Sequence, residues 1–168
     1  MPQLKPFALV LVLAATLVVA GCSYRPLYGS GSDGQSVAVA LAGVAVAEQK
    51  TRAGQLVRNE LISSMGAQGG DSRFLLKLEP EEKSTAVSST GLKLERHRYR
   101  LSVKYALLEA GSGKPATEGA SFSNVSYDTV EEPIADLRAA ENARERAARE
   151  VAEDVRLRLA AFISSIKP

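Results

Sequence analysis

An α+β domain, with a four-stranded, mostly antiparallel sheet and two helices packed on one of its faces, is what this sequence predicts. Two stretches carry that expectation. In residues 94–108, His97, Tyr99, Leu101, Val103, Tyr105 and Leu107 alternate with Arg96, Arg98, Arg100, Ser102 and Lys104, the period of a half-buried strand. From Pro133 the apolar period becomes helical, with Ile134, Leu137, Ala140, Ala143, Ala147, Val151, Val155, Leu159, Phe162 and Ile166 stepping by three or four. A β-α-β-β-β-α order over residues 37–168 satisfies every apolar stripe if both helices lie on the same face of one sheet.

Ahead of that domain stand Lys5 and an unbroken run from Phe7 to Ala20, apolar except for Thr16. A basic start, an apolar core and a small-residue exit read as a secretory signal over residues 1–21. The core of 14 residues is short of the roughly 20 that span a bilayer. Its exit, Val19-Ala20-Gly21-Cys22, leads straight into the only cysteine and resembles the lipobox of bacterial lipoproteins. In such proteins the cysteine is acylated and becomes the new N-terminus. The alternative is a plain signal that happens to precede a cysteine. Lipidation of Cys22 also explains why an exported chain builds no disulfide. Residues 22–36, ending in Gly-Ser-Gly-Ser-Asp-Gly-Gln-Ser, read as a lipidated terminus and flexible linker.

The elements follow in order. Val37 to Ala47 alternates valine or leucine with alanine and slips phase at Gly43, which reads as a strand with a bulge. Thr51 is placed to cap a helix that runs to about Met65 and ends at Gly66. Phe74, Leu76 and Leu78 mark a half-buried strand, with Pro80 signalling an edge or a break. Residues 81–91 are polar and read as a ragged strand end and a loop. After the strand at 94–108, Gly111-Ser112-Gly113-Lys114-Pro115 is turn chemistry, and a return strand falls within 116–127. There Phe122 is out of phase with Val125 and Tyr127, which suggests a bulge near Ser123-Asn124. Pro133 suits the first position of the last helix, with Glu131, Glu132 and Asp136 at its positive end.

Composition narrows the function. The chain carries 21 basic against 19 acidic residues, so it is no general polyanion binder, and aromatic residues at 5% leave little to stack on bases. Nucleic acid is a poor partner. His97 is the only histidine and falls on the apolar face of its strand, so it reads as a packed or rim residue. No cluster has metal-ligand spacing, and neither a nucleophile elbow nor a phosphate loop occurs. We expect no enzyme, no metal and no cofactor beyond the lipid on Cys22. The one pattern with binding content is the basic ridge of Arg96, Arg98, Arg100 and Lys104. Alternate strand residues lie roughly 6.6–6.8 Å apart on one face, so the ridge is a ladder of cations suited to phosphate or carboxylate. Its other reading is a solvated or aggregation-resistant sheet face.

Taken together, three segments resemble the lipopolysaccharide-assembly lipoproteins of the LptE family, in their alphaproteobacterial form. They are Cys22-Ser23-Tyr24-Arg25-Pro26-Leu27-Tyr28-Gly29, then Arg52-Ala53-Gly54-Gln55-Leu56-Val57-Arg58-Asn59-Glu60-Leu61, and the Ala147–Arg156 stretch behind Tyr127-Asp128. The resemblance implies two helices on a four-stranded sheet and no enzymatic activity. It also implies a place on the periplasmic side of the outer membrane, lipid-anchored, plugging the LptD β-barrel and assisting lipopolysaccharide insertion at the surface. A lipid-anchored adaptor of another envelope complex, of ABC-type lipid transport or contacting peptidoglycan, has the same requirements and remains open. The assignment of Arg96, Arg98, Arg100 and Lys104 to lipopolysaccharide or partner contact is inferred from the ridge and not carried over from the family.

Overall fold

The structure is a computed structural model and describes residues 32–66, 72–87 and 95–166. The signal, Cys22, the first part of the linker and the loop around 88–91 lie outside the described residues. Seven elements follow in order: α1 (Ser32–Ala42), β1 (Val44–Val46), α2 (Arg52–Met65), β2 (Phe74–Val87), β3 (Glu95–Glu109), β4 (Pro115–Thr129) and α3 (Pro133–Ser165). The four strands form one sheet in the order β1-β2-β3-β4. β1 runs parallel to β2, with Val44 opposite Phe74 and Val46 opposite Leu76. The other two pairs are antiparallel, so the sheet is mostly antiparallel, as expected.

α2 is built as its sequence dictates. Gly54 N–H donates to Thr51 Oγ1 at 3.1 Å, and Gly66 closes the helix at φ 63, a conformation in which glycine carries no Cβ penalty. Its buried side is Ala53, Gly54, Val57, Leu61 and Met65. α3 has 33 residues, about 50 Å at 1.5 Å per residue. It buries Ala143, Ala147, Ala148, Val151, Ala152, Val155, Leu159 and Ala160. The alanines let it lie close against β4 and α2, the elements it chiefly packs on. Leu76, Leu101, Val103 and Leu107 meet these helices from the sheet and are fully buried.

Three expectations are corrected. The Val37–Ala47 segment is not one strand: Ser32–Ala42 is helical and only Val44–Val46 is extended. Val37 and Leu41 are buried while Val39 is 68% exposed, which is helical spacing, and alanine at every second position favours the helix. Gly43 separates the two elements, so no bulge is needed, and the helix takes in the end of the expected linker. Second, β4 has no irregularity at Ser123-Asn124. The register shift falls between Leu107 and Leu108, and Phe122 faces outward while Ser121 and Ser123 are buried. Third, β2 continues to Val87, paired with Arg96, instead of fraying after Pro80. Beyond Leu76 it has no β1 partner, so Pro80 sits at a free edge where its missing donor costs no ladder bond. Ile134 and Leu137, at the start of the helical stripe, are 72% and 71% exposed, because the first turns of α3 overhang the sheet, as its length implies.

Candidate functional site

The helices cover one face of the sheet and leave the other to β2, β3 and β4 alone. Arg96, Arg98, Arg100 and Lys104 all lie exposed on that open face, as the alternation in β3 requires. Their neighbours make them unequal. Arg96 stands directly opposite Asp128 on β4 and grips its carboxylate with two prongs, Nε to Oδ1 at 2.8 Å and Nη2 to Oδ2 at 3.2 Å. The hydrogen bond from Arg96 holds Asp128 below the usual carboxylate range, so this pair is self-neutralised. Lys104 has a carboxylate, that of Glu79, directly across the strand pair, though the two form no ion pair.

Arg98 and Arg100 are different. Arg100 is flanked by Lys83 on β2 and Asn124 on β4, and Arg98 by Thr85 and Ser126. Like charges directly opposite one another on a sheet destabilise it, and Lys83 with Arg100 is such a pair. Lys83, Thr85, Arg98, Arg100 and Asn124 line a shallow depression of about 390 Å³. Among the described residues no carboxylate forms an ion pair with any of its three cations. Arg100 is steadied from the side: its guanidinium lies 4.5 Å from the centre of the Phe122 ring, and its Nε donates to Ser102 Oγ at 3.3 Å. Phe122 is 61% exposed and acts as a stacking plate for the cation. Five neighbouring donors with no anion among them suit a multi-oxygen anion, phosphate or carboxylate.

The sequence pattern therefore identified the strand and the face but not the grouping. It missed Lys83, Thr85, Asn124 and Phe122, whose only signal is the cross-strand register. It also placed Arg96 and Lys104 on an equal footing with Arg98 and Arg100.

The helix side carries a second polar cluster whose geometry is structural. Tyr99 Oη donates to Glu82 Oε2 at 2.8 Å, and Arg144 Nε reaches the same oxygen at 3.1 Å. Arg144 also binds Glu141, which Arg52 reaches at 3.0 Å. These contacts tie α2, α3, β2 and β3 together. Burial, and then the Glu82 carboxylate, push the Tyr99 hydroxyl well up. His97 sits half-buried at the rim of this side, stacked on Tyr127 with ring centres 5.1 Å apart, the packed role expected of it. A depression of about 310 Å³ beside α2 is lined by Glu48, Gln49, Gln55, Arg58 and Asn59. The only cation there is engaged, through Arg58 Nε to the Val46 carbonyl. Among the described residues no group of three or more metal-ligating side chains occurs, and no helix is long and apolar enough to cross a membrane.

No family profile matches the chain, and no curated protein matches it in sequence. Solved structures do. A candidate lipoprotein from Caulobacter crescentus CB15 superposes with a TM-score of 0.72 at 28% identity, covering 79% of this chain and 98% of its own. A minor lipoprotein from Acinetobacter baumannii shares the fold at a TM-score of 0.54 and 12% identity, covering 70% of this chain and 88% of its own. The rare lipoprotein B of Shewanella oneidensis is more distant, at a TM-score of 0.47 and 14% identity over 73% of this chain and 96% of its own. The fold is thus one that bacterial lipoproteins use.

Proposed function

We propose that this chain is a lipoprotein subunit of the lipopolysaccharide-assembly machinery, of LptE type. Acyl chains on Cys22 hold it to the periplasmic leaflet of the outer membrane. It docks in a β-barrel of LptD type and assists the passage of lipopolysaccharide to the surface without performing a reaction. The lipobox-like Val19-Ala20-Gly21-Cys22 supports the anchor, and the fold shared with the Caulobacter and Acinetobacter proteins supports the lipoprotein class. The observation that carries the lipid role is the depression of Lys83, Arg98 and Arg100 on an uncovered sheet face, three cations without an ion-pair partner among the described residues. Phosphate groups on a lipid headgroup fit those donors, while Arg96 is occupied by Asp128.

The test is direct. The purified lipidated chain should bind lipopolysaccharide, and more weakly as salt rises, because exposed charges are screened. Lys83→Ser, Arg98→Ser and Arg100→Ser together should cost at least tenfold in affinity and most of the salt sensitivity. Arg96→Ser should change affinity less than twofold. A triple variant that binds like wild type rejects the site. Depletion that leaves surface lipopolysaccharide unchanged rejects the whole reading and favours an adaptor of another envelope complex.

A further inference from the structure

We propose that the overhanging start of α3, with Val130, Ile134 and Leu137, is the docking prong for the barrel partner, and this assignment rests on the function proposed above. Val130, Ile134 and Leu137 are 47%, 72% and 71% exposed. Ile134 and Leu137, three residues apart, lie on one side of the helix, and Val130 stands in the junction just ahead of the N-cap Glu132. No residue of α3 before Ala143 is buried, so nothing in the fold requires large aliphatic side chains there. A solvated first turn would carry polar residues instead.

The prong is held rigid. The Val130 N–H donates to Asp136 Oδ1 at 2.8 Å, which locks the junction onto the first turn. Glu131 turns the chain at φ 60, the only non-glycine residue with positive φ among those described. Such conformations persist where surrounding structure over-determines them. A fixed apolar projection loses little freedom on docking, which is how preorganisation favours binding.

Charge selects the occupant. Residues 131–138 hold Glu131, Glu132 and Asp136 against the single cation Arg138. An anionic bilayer or lipopolysaccharide would be repelled by them. A second copy would set the same carboxylates face to face. A protein pocket with an apolar floor and a Lys/Arg rim satisfies both the aliphatic side chains and the carboxylates. Three side chains fall well short of the ~800 Å² per partner of a standard interface. They constitute an anchor within a larger contact, and the cationic depression on the open sheet face is left free for its lipid.

Recovery of the barrel with the lipidated chain from gently solubilised outer membranes tests this. Ile134→Gln with Leu137→Gln keeps helix propensity and should lower barrel recovery at least tenfold with an unchanged melting curve. Ile134→Val with Leu137→Met should restore it. A photoreactive residue at position 137 should form its adduct with the barrel in intact cells. That adduct decides the matter if the double variant melts early. Wild-type recovery matched by the glutamine variant, or an adduct with lipid or with a second copy, overturns the prong alone. A wild-type chain that recovers no barrel overturns the proposed function, and the prong falls with it.

Discussion

Arg96 and Arg98 sit two residues apart on one face of one strand, yet only the second is available to a ligand. The difference lies across the strand, where Arg96 meets Asp128 and Arg98 meets Ser126. Asp128→Ala should release Arg96 and strengthen anion binding, the reverse of what loss of Arg98 does. Titration of each variant with lipopolysaccharide at low salt distinguishes them, and equal behaviour would mean that the fork with Asp128 does not persist in solution. On the helix side of β4, Gly119 illustrates a different constraint. A Cβ at that position would lie 2.5 Å from Tyr105 Oη and 2.6 Å from its Cζ. The ring belongs to a buried residue and cannot simply swing clear. Gly119→Ala should therefore cost about 1–3 kcal/mol by overpacking, read as a lower denaturant midpoint. An unchanged midpoint would show that the ring has room to move.

α2 and the N-terminal segment show what an element's sequence can and cannot reveal. Thr51 and Gly66 announced the limits of α2 because capping is local chemistry, readable within one turn. Thr51→Ala should lower stability by about 1 kcal/mol through the lost cap, measurable by chemical denaturation. Val37 to Ala47 misled because alternation of valine and alanine also places Val37 and Leu41 one helical turn apart, and only tertiary burial decides between the two periods. Phe122 misled for a related reason. On an edge strand that presents serine inward and an aromatic residue outward, hydrophobicity points to the wrong face. Lys83 was invisible because residues 81–87 have no apolar period, so only pairing with β3 shows that this polar run is a strand. In α3, Glu141, Glu153 and Asp154 are all held below the usual carboxylate range. Burial opposes the shift, most strongly at Glu141 and Asp154. Contacts with Arg52 and Arg144, with Arg156, and with Arg158 outweigh it. A carboxylate with a lowered folded pKa leaves the unfolded chain binding more protons, so stability rises with pH through that window. The melting temperature should be flat from pH 7 to about 5 and fall as the pH drops through about 4. Glu141→Gln should flatten that fall, and an acid limb unchanged by the substitution would remove Glu141 from its cause.

At the scale of the molecule, the proposed function gives the cationic depression to lipid and the acidic start of α3 to a protein partner, with the proposed anchor on Cys22 setting where both would be used. The described core draws its side chains from the four strands and from α1, α2 and α3. Cys22 is ten residues upstream of Ser32, a reach of at most about 35 Å when extended, so an acylated chain keeps the domain close to its leaflet. Cys22→Ser should therefore leave folding intact and abolish function through position. The variant should melt like the wild type, lose its fatty acids by mass spectrometry, and leave the membrane fraction. Surface lipopolysaccharide should fall to the level expected on depletion of the chain. Forcing the same variant back to the membrane with an unrelated lipoprotein leader should restore it, which separates loss of the anchor from loss of a contact made by residue 22. A Cys22→Ser chain that stays with the membrane and supports normal surface lipopolysaccharide would mean that docking alone is enough to place the domain, and that the lipid is not what localises it.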